Sequence, residues 1–415
     1  MKQVKPSEIN GVLSAPPSKS MMIRAAAASL LCEETSQIIN PSHCDDCLAA
    51  LHIIKTLGAS AKKRNNQILI KGGMDFKNHH IDCMESGLCM RLFAPIAALA
   101  NQEIFITGQK SLIKRPMNII EEPLRMLGAF CSTHNGFPPI QVKGPMSGGK
   151  VNVDGSLSSQ FLSGLLMALP LCKEDSEVKV ANLKSKPYVE MTIDLLKQFG
   201  IKIHSSQDLS YFFIPGNQKY IKTRYTVEGD WSGAAFLLTA GALKGTITVK
   251  NIDQDSYQAD KKILEALTSL GAKVTQFPEQ IHVQKNRLDP FEFDATECPD
   301  LFPPLVALAS CCKGCSILTG VHRLIHKESD RAASLSSEFN KIGVAISIKE
   351  NRMEIKGSPI KGGTIDSHND HRIAMAGAVA GLVSRQGVKI KNWQAVSKSY
   401  PEFFKDLKLI GGKVI

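Results

Sequence analysis

The chain has 415 residues but no apolar run long enough to cross a membrane. Its longest apolar stretches, residues 92–100 and 374–383, fall well short of the roughly 20 residues that a transmembrane helix requires. The first six residues, MKQVKP, also lack the apolar centre of a secretion signal. We therefore expect a soluble, cytoplasmic protein that does not bind a membrane.

Aromatic residues are scarce as well, at 6% of the chain, although the net charge is +11. Proteins that bind nucleic acids usually combine basic runs with aromatic stacking surfaces. Here the densest basic run is only residues 62–64. The dispersed positive charge therefore favours small anionic ligands over nucleic acid.

A regular cysteine pattern is also missing. Eleven cysteines, an odd number, are scattered along the chain, and this fits a reducing compartment better than a disulfide-bonded scaffold. Two clusters, residues 43–47 and 311–315, contain metal-ligating residue types, but a zinc site needs four ligands brought together. Small buried cysteines are common in apolar helices, so we expect no bound metal.

What the sequence does contain is a repeat. A helical apolar pattern that ends in a hydrophobic residue and a glycine occurs six times at nearly constant spacing, at Gly58, Gly128, Gly200, Gly271, Gly343 and Gly411. A glycine just past a helix can adopt the left-handed conformation that satisfies the last carbonyls. Most of these glycines are followed by two short strand patterns with a polar turn between them. The chain is therefore predicted to be α/β, with six copies of one helix-and-strand unit.

Six units exceed the size of a single hydrophobic core, so we expect two domains of three repeats each. The predicted first domain is residues 15–228, and the second is residues 1–14 plus 229–415. The hinges are expected near residues 14–19 and 226–230. In this arrangement the segment before the first hinge supplies a strand to the second domain.

Helix starts in the first domain carry groups that bind anions. Residues 16–24 place Lys19, Ser20 and Arg24 at the start of an alanine-rich helix, where exposed N–H groups already favour an anion. Serines and an amide precede a second helix at 156–160, and residues 184–188 precede a third. Arg115 stands just before Pro116, which is expected to start another helix. An ordinary capped surface helix with basic side chains would explain one such start. It explains several of them less well.

Charged residues recur at helix starts in the second domain, at Asp300 and at residues 326–331, 370–372 and 398–401. On a helix, Lys327 and Arg331 would share one face, with Glu328 beside them. A structural ion-pair network would use the same residue types. Four such helix starts in one domain favour a functional site over a structural ion-pair network.

The order and spacing of these motifs resemble those of the 5-enolpyruvylshikimate-3-phosphate (EPSP) synthases, the 3-phosphoshikimate 1-carboxyvinyltransferases. The matching segments span nearly the whole chain: 17–20, 115–117, 158–160, 185–188, 229–230, 299–300, 327–331, 370–372 and Lys398. The resemblance implies a two-domain inside-out α/β barrel with three repeats per domain, and substrates bound in the cleft between the domains. It also implies the transfer of the enolpyruvyl group of phosphoenolpyruvate to the 5-hydroxyl of shikimate 3-phosphate, with release of phosphate, on the pathway to chorismate and aromatic amino acids. No metal or organic cofactor is implied, and we expect a monomer.

The resemblance further implies roles for individual residues. Those implied to bind shikimate 3-phosphate are Lys19, Ser20, Arg24, Ser158, Ser159, Gln160, Ser185, Tyr188, Asp300 and Lys327. Those implied to bind phosphoenolpyruvate are Lys19, Gly87, Arg115, Gln160, Arg331, Arg372 and Lys398. For proton transfer we assign Asp300 to the attacking hydroxyl and Glu328 to the methylene carbon, with Lys19 as a third candidate. Like charges about 4 Å apart repel by about 4 kcal/mol at an effective dielectric constant near 20, so two anionic substrates need surrounding cations.

The chain departs from the family pattern at several positions. Glu85 and Leu88 flank Gly87 where many members have an asparagine and a threonine, and Arg323 stands where an asparagine is common. Met22 and Ile23 replace more polar residues. A carboxylate such as Glu85 would weaken an anion site unless a cation pairs with it. We therefore expect an active enzyme with altered affinity for phosphoenolpyruvate and an altered response to glyphosate.

Two other functions compete with this interpretation. The related enolpyruvyl transferase that acts on UDP-N-acetylglucosamine usually has a reactive cysteine or aspartate on the loop before the arginine equivalent to Arg115. Residues 101–114 contain no cysteine, and their one acid is Glu103. A basic repeat protein that binds RNA without catalysis would spread its cations over an open face and show steep salt dependence.

Overall fold

The computed structural model describes all 415 residues. Its twelve α-helices are α1 (Lys19–Leu31), α2 (Asp45–Thr56), α3 (Gly87–Ala97), α4 (Glu121–Met126), α5 (Ser159–Ala168), α6 (Lys186–Gln198), α7 (Trp231–Lys244), α8 (Ile263–Ser269), α9 (Phe302–Ala309), α10 (Arg331–Lys341), α11 (His371–Val383) and α12 (Phe403–Leu409). Seven 3₁₀ turns lie between them: Leu112–Lys114, Asn118–Ile120, Leu169–Leu171, Ala259–Lys262, Pro299–Leu301, Val321–Arg323 and Trp393–Lys398.

The strands number twenty-four. They are β1 (Lys2–Lys5), β2 (Ile9–Ser14), β3 (Thr35–Ile39), β4 (Ser60–Arg64), β5 (Gln67–Lys71), β6 (His80–Asp82), β7 (Glu103–Thr107), β8 (Phe130–His134), β9 (Phe137–Lys143), β10 (Gly149–Asp154), β11 (Ser176–Ala181), β12 (His204–Ser205), β13 (Tyr211–Ile214), β14 (Arg224–Thr226), β15 (Gly245–Lys250), β16 (Lys273–Phe277), β17 (Gln280–Gln284), β18 (Glu292–Asp294), β19 (Cys315–Thr319), β20 (Ala345–Lys349), β21 (Arg352–Lys356), β22 (Gly363–Asp366), β23 (Val388–Lys391) and β24 (Lys413–Val414).

The strands form six four-stranded sheets with one common arrangement: two parallel strands, then two strands paired antiparallel. In five sheets these last two strands form a hairpin, whereas β1 and β24 come from opposite ends of the chain. The strand orders are β14-β3-β5-β4, β6-β7-β9-β8, β10-β11-β13-β12, β2-β15-β17-β16, β18-β19-β21-β20 and β22-β23-β1-β24. Four of the parallel pairs are connected directly through a helix, as parallel strands require, whereas the strands of the pairs β14–β3 and β2–β15 are far apart in the chain. The six predicted helix-and-strand repeats are confirmed.

Glycine ends a helix in each repeat, as the spacing predicts. The six glycines have positive φ angles between 81° and 113°, the left-handed conformation that favours glycine. Gly58 shows why a larger residue would not fit, because an added Cβ would lie 2.5 Å from the backbone nitrogen of Asp75. The helix end and the start of the next segment therefore pack too closely for any side chain.

The chain divides into two compact units. We call Pro17–Val227 the central unit, and Met1–Pro16 together with Glu228–Ile415 the terminal unit. The segment before the first hinge supplies two strands rather than the one expected, because β1 joins the sheet of β23 and β24 whereas β2 pairs with β15. In the central unit, β14 returns from the end of the unit to pair with β3.

Within each unit the helices lie inside and the sheets outside. All eleven residues of α3 are buried, and α1, α5, α7, α9 and α11 are buried over nearly their whole length. Helices that are apolar on every side belong in a core, and each fully buried Leu or Phe contributes roughly 1.5–3 kcal/mol. Gly164 of α5 permits close packing on α3, since an added Cβ would lie 2.6 Å from the carbonyl oxygen of Leu92.

Two local expectations were wrong. Pro116 does not start a helix, because the chain makes a 3₁₀ turn at Asn118–Ile120 and α4 begins only at Glu121. Lys327 lies in the loop before α10 and shares no helical face with Arg331, since that helix begins at Arg331 itself and is capped by Asp330. No helix of the chain is both long enough and apolar enough to span a membrane.

Candidate active site

A buried charge cluster centres on Arg331 in the terminal unit. The guanidinium has no exposed surface and forms ion pairs with three carboxylates: Nη1 lies 2.8 Å from Asp300, Nη2 lies 2.6 Å from Glu328, and Nε lies 2.9 Å from Asp370. Burial alone would lower the pKa of Arg331, but these carboxylates raise it above its usual value. Arg331 is therefore a permanent cation that holds three acids in place.

The fold explains why these residues meet. Asp300 lies in the turn after β18, and Arg331 follows β19, which is the parallel neighbour of β18. The carboxyl ends of parallel strands lie at one edge of a sheet. Asp370 caps the start of α11, where its side chain accepts a hydrogen bond from the backbone N–H of Arg372 at 2.9 Å. Three helix starts thus supply the cluster.

Asp300 has three cationic partners. Arg372 Nη2 lies 3.0 Å from its carboxylate, Arg331 Nη1 lies 2.8 Å away, and Lys327 Nζ lies 3.4 Å away. Burial opposes ionisation, but Arg372, Lys327 and Arg331 together hold the pKa of Asp300 well below its usual range. Asp300 is therefore an ionised hydrogen-bond acceptor.

The pKa of Lys327 is lowered as well, but for a different reason. Burial lowers the pKa of its ammonium group, an effect that Asp300 partly offsets and Arg331 reinforces. Its side chain is still 23% exposed. A lysine with a lowered pKa releases its proton more easily, so Lys327 is suited to move a proton as well as to carry charge.

Two further cations lie near this cluster. Lys398 donates from Nζ to the carbonyl oxygen of Asn369 at 2.7 Å, and Asn369 immediately precedes Asp370. Arg323 has its pKa lowered by burial, while Glu297 and Asp300 act to raise it. Arg323, which replaces a common asparagine, therefore adds positive charge within the electrostatic reach of Asp300.

Asp260 was missed by the sequence analysis. It is fully buried, its Oδ2 accepts a hydrogen bond from Ser232, and its Oδ1 has no hydrogen-bond partner. Burial and the nearby charge of Asp300 raise the pKa of Asp260 to about 7, although Arg372 and Ser232 act to lower it. No sequence signal marks this residue, because it precedes two lysines in a polar stretch typical of a surface turn.

In the central unit, two helix starts lie at one edge of a sheet. β10 and β11 are parallel neighbours, and they lead into α5 and α6. Ser158 caps α5, and Ser185 precedes α6 in a left-handed conformation with φ 57°. The backbone N–H of Lys184 donates to the carbonyl of Gly155 at 3.2 Å and links the two loops. Hydroxyls and helix N–H groups in this arrangement form a cradle for a phosphate.

Arg24 connects three helices beside this cradle. Nε donates to Thr192 Oγ1 at 2.8 Å, Nη2 donates to Ser163 Oγ at 3.3 Å and to the Tyr188 carbonyl at 3.5 Å, and Nη1 donates to the Ser20 carbonyl at 3.0 Å. Burial lowers the pKa of Arg24 to about 10, against the smaller opposing effects of Tyr188 and Tyr225. Of the five N–H groups of a guanidinium, one on Nη1 remains for a ligand.

A second cationic group surrounds Gly87 at the start of α3. A Cβ at this position would lie 2.5 Å from Nη1 of Arg115 and 3.3 Å from Nη1 of Arg91. Arg91 donates to Oε1 of Gln160 at 3.0 Å and to the carbonyl of Pro116 at 3.2 Å. The structure therefore brings Gly87, Arg115 and Gln160 together. Arg91, a lone charge in an apolar helix pattern, is the signal that the sequence analysis overlooked.

Lys19 and Glu85 each form an ion pair in the central unit. Lys19 Nζ lies 3.0 Å from the carboxylate of Asp46, and Glu85 lies 2.8 Å from Nζ of Lys110. Glu85 thus has the cationic partner that an acid near an anion site requires. Leu88 is buried in the core.

The family model of EPSP synthase (3-phosphoshikimate 1-carboxyvinyltransferase) matches residues 4–407. This chain belongs to the EPSP synthase family. It is 37% identical to the 3-phosphoshikimate 1-carboxyvinyltransferase of Clostridium novyi over 99% of this chain and 97% of that one. It is 38% identical to the enzyme of the same name from Clostridium acetobutylicum, with the same coverage. The solved structure of EPSP synthase from Acinetobacter baumannii superposes with a TM-score of 0.85, at 26% identity, over 100% of this chain and 99% of that chain.

These matches confirm the predicted family, the inside-out α/β fold and the transferase class. They do not favour either competing function, the UDP-N-acetylglucosamine enzyme or the RNA-binding protein. No three histidine, cysteine, aspartate or glutamate side chains are arranged to hold a metal ion. Both cysteine clusters consist of free thiols.

Arg331, which the resemblance implies binds phosphoenolpyruvate, has a fully buried guanidinium that contacts Asp300, Glu328 and Asp370. It positions these acids, and its contact with substrate stays a prediction. Of the other implied residues, Arg115 and Lys398 lie at the ends of 3₁₀ turns and Lys327 lies in a loop, and most of the rest lie at or near helix starts.

Proposed function

We propose that this EPSP synthase transfers the 1-carboxyvinyl group of phosphoenolpyruvate to the 5-hydroxyl of shikimate 3-phosphate and releases inorganic phosphate. The observation that carries the proposal is the convergence of Lys327, Arg331 and Arg372 on Asp300. An ionised carboxylate held by cations can accept a hydroxyl proton, while the cations balance anionic substrates.

We assign the binding of shikimate 3-phosphate in the central unit to the hydroxyl cradle. Ser158, Ser159 and Ser185 supply uncharged donors at helix starts, and Arg24 supplies its remaining Nη1 hydrogen. Ser20, Tyr188 and Lys19 complete this set. Neutral donors and helix N–H groups suit a phosphate because they bind it without a competing counter-ion.

We assign phosphoenolpyruvate in the central unit to Arg115, Gln160 and the backbone at Gly87. Arg91 orients Gln160 through its 3.0 Å hydrogen bond. The absence of a side chain at Gly87 lets the two guanidinium groups approach the start of α3. An arginine fork matches the geometry of a carboxylate or a phosphate. In the terminal unit, Arg372 and Lys398 are assigned to the same substrate.

The proposed chemistry has two stages. First, Asp300 accepts the proton of the 5-hydroxyl as the oxygen bonds to C2 of phosphoenolpyruvate, and Glu328 donates a proton to C3. Then C3 returns a proton to Glu328, the bond from C2 to the phosphate oxygen breaks, and phosphate leaves. Lys327, whose pKa is lowered by burial, gives a proton to the departing phosphate and takes the proton held by Asp300, which restores the ionised state of Asp300.

We further propose that the enzyme acts as a monomer in the cytoplasm. Its eleven free cysteines suit a reducing compartment. Light scattering of the purified protein tests the monomer, and a dimer mass would contradict it.

A phosphate-release assay with both substrates tests the function. We expect turnover in the intact protein and a loss of about 10²–10⁴-fold in kcat in Asp300→Asn, the usual contribution of a positioned acid or base. Asp289→Asn is the matched control, because this aspartate of the same unit is 61% exposed and pairs with Arg287. No phosphate release by the unmodified protein, or equal losses in both variants, would contradict the proposal.

A further inference from the structure

Two cysteines lie one turn apart at the start of α2, in the sequence Cys44-Asp45-Asp46-Cys47. Cys44 is the N-cap residue and Cys47 is the third residue of the helix, so the backbone N–H of Cys47 donates to the Cys44 carbonyl at 3.0 Å. Side chains three residues apart at a helix start are neighbours, and helical side chains tilt toward the N-terminus. The two cysteine side chains therefore lie next to each other, one helical turn apart.

The two thiols differ in reactivity. Interaction with the neighbouring Cys47 thiol lowers the pKa of Cys44, against the opposing effects of burial and of Asp46. Burial raises the pKa of Cys47 well above its usual value. Such a pair has one thiol that ionises first and attacks, and a second that completes the disulfide.

The start of α2 contacts Lys19 at two points, its side chain and its backbone carbonyl. Asp46, between the cysteines, forms the 3.0 Å ion pair with Lys19 Nζ, and the Cys47 thiol donates to the Lys19 carbonyl at 3.7 Å. A third thiol, Cys89, donates to the Asp46 carbonyl at 3.7 Å. A change at the Cys47 sulfur would therefore reach the backbone of Lys19 directly.

We propose that Cys44 and Cys47 form a reversible disulfide with hydrogen peroxide as the oxidant, and that this disulfide weakens substrate binding at Lys19. The second part rests on the proposed function, whereas the first does not. A disulfide brings the sulfurs to about 2.05 Å and removes the thiol hydrogen, so Cys47 can no longer donate to the Lys19 carbonyl.

The reaction is balanced with one peroxide molecule. The Cys44 thiolate attacks one peroxide oxygen, and the O–O bond breaks. A sulfenic acid forms on Cys44, and the hydroxide that leaves takes a proton to become water. The sulfur of Cys47 then attacks the Cys44 sulfur and displaces the second water. Two thiols are oxidised and one peroxide is reduced, and a dithiol reductant reverses the bond by exchange.

The surroundings select a small oxidant. Both sulfurs are buried, and the adjacent side chains of Lys19 and Asp46 are only 12% and 11% exposed. Hydrogen peroxide is small enough to reach such a site, whereas glutathione disulfide is not. Shikimate 3-phosphate bound at Lys19 should also slow the oxidation.

Thiol mapping of the purified full-length protein tests the disulfide. After treatment with hydrogen peroxide and alkylation, we expect a Cys44–Cys47 crosslink, a mass lower by two hydrogens, and recovery with dithiothreitol. Cys315→Ser is the matched control, because Cys315 is exposed and outside the site. Cys44→Ser should fold, since serine is a good N-cap, and should give no crosslink. A Cys44–Cys47 pair that stays reduced while Cys315 is oxidised would overturn the proposal.

Steady-state kinetics tests the effect on Lys19. We expect oxidation to raise the KM for shikimate 3-phosphate about tenfold, as for the loss of one charged hydrogen bond, in the intact protein and in Cys315→Ser but not in Cys44→Ser. A crosslink with an unchanged KM would overturn the regulatory part. Absence of turnover before oxidation would contradict the proposed function instead, and the crosslink would still be measured.

Discussion

The two units bury an arginine in opposite ways. Arg331 of the terminal unit is surrounded by three carboxylates, and its pKa is raised. Arg24 of the central unit donates to two hydroxyls and two carbonyls, and burial lowers its pKa to about 10. Neutral partners leave the positive charge of Arg24 unbalanced and available to an anion. Acidic partners balance Arg331 and place ionisable groups where protons must move.

This contrast indicates that the two units have different roles in the proposed reaction. Substitutions in the central unit should mainly affect substrate binding, and so KM. Substitutions in the terminal unit should mainly affect proton transfer, and so kcat.

The largest effect is expected from removing the two buried arginines. Arg331→Leu leaves Asp300, Glu328 and Asp370 without their shared cation, and breaking a buried ion pair costs about 3–5 kcal/mol. Arg24→Leu leaves only neutral acceptors unpaired, at about 1–3 kcal/mol. Urea denaturation of both variants measures the difference. Equal losses would show that the carboxylates around Arg331 are not what distinguishes the two sites.

The sequence predicted the repeats better than it predicted the contacts. Glycine at each helix end and the near-constant spacing of these glycines are local signals, and they were sufficient to predict six repeats. The pairing of β1 and β2 with different sheets is a long-range property that no local pattern contains. Motif matching identified Gly87 and Gln160, but it could not reveal that Arg91 holds Gln160 or that Asp260 is buried.

A methyl group at Gly87 tests the binding function of the central unit. Gly87→Ala would place Cβ 2.5 Å from Arg115 Nη1, so the guanidinium must move. We expect the KM for phosphoenolpyruvate to rise about 10–100-fold, or about 1.4–3 kcal/mol, with little change in the urea midpoint.

The double variant with Arg115→Lys makes this test specific. Lysine has no planar fork at the position of the new methyl, so the alanine should cost less in that background. Equal costs in both backgrounds, or a fall in kcat alone, would contradict the assignment of Gly87 and Arg115 to substrate binding.

The pH dependence of stability tests the acidic character of the terminal unit. Asp260 is surrounded by Asp300, Arg372, Asp230 and Ser232, and its pKa is raised from 3.8 to about 7. Between these two values the folded state keeps a proton that the unfolded state releases, so the stabilisation is present at low pH and is lost as the pH rises through about 7.

Asp260→Asn removes this titration. We compare the free energies of unfolding of the variant and of the unmodified protein. The difference between them should favour the variant more at pH 8 than at pH 5, by about 1–3 kcal/mol. Urea denaturation at the two pH values measures the difference, and Asp289→Asn, at an exposed position, should show none. Equal effects of the variant at the two pH values would mean that Asp260 is already ionised in the folded state at pH 5.

The smallest effect is expected at the pair of Glu85 and Lys110. Lys110 is 67% exposed and lies 2.8 Å from Glu85, which is 13% exposed, and such pairs contribute about 0–1 kcal/mol to stability. Lys110→Ala should nevertheless raise the KM for phosphoenolpyruvate about twofold to fivefold, because it takes a cation away from an acid that lies close to Gly87 in the chain. Adding Glu85→Gln should restore the KM, and high salt should reduce the effect. Should the double variant bind no better than Lys110→Ala alone, Glu85 would lie outside the electrostatic reach of the substrate, and the central unit would owe its affinity to Arg115 and Gln160 alone.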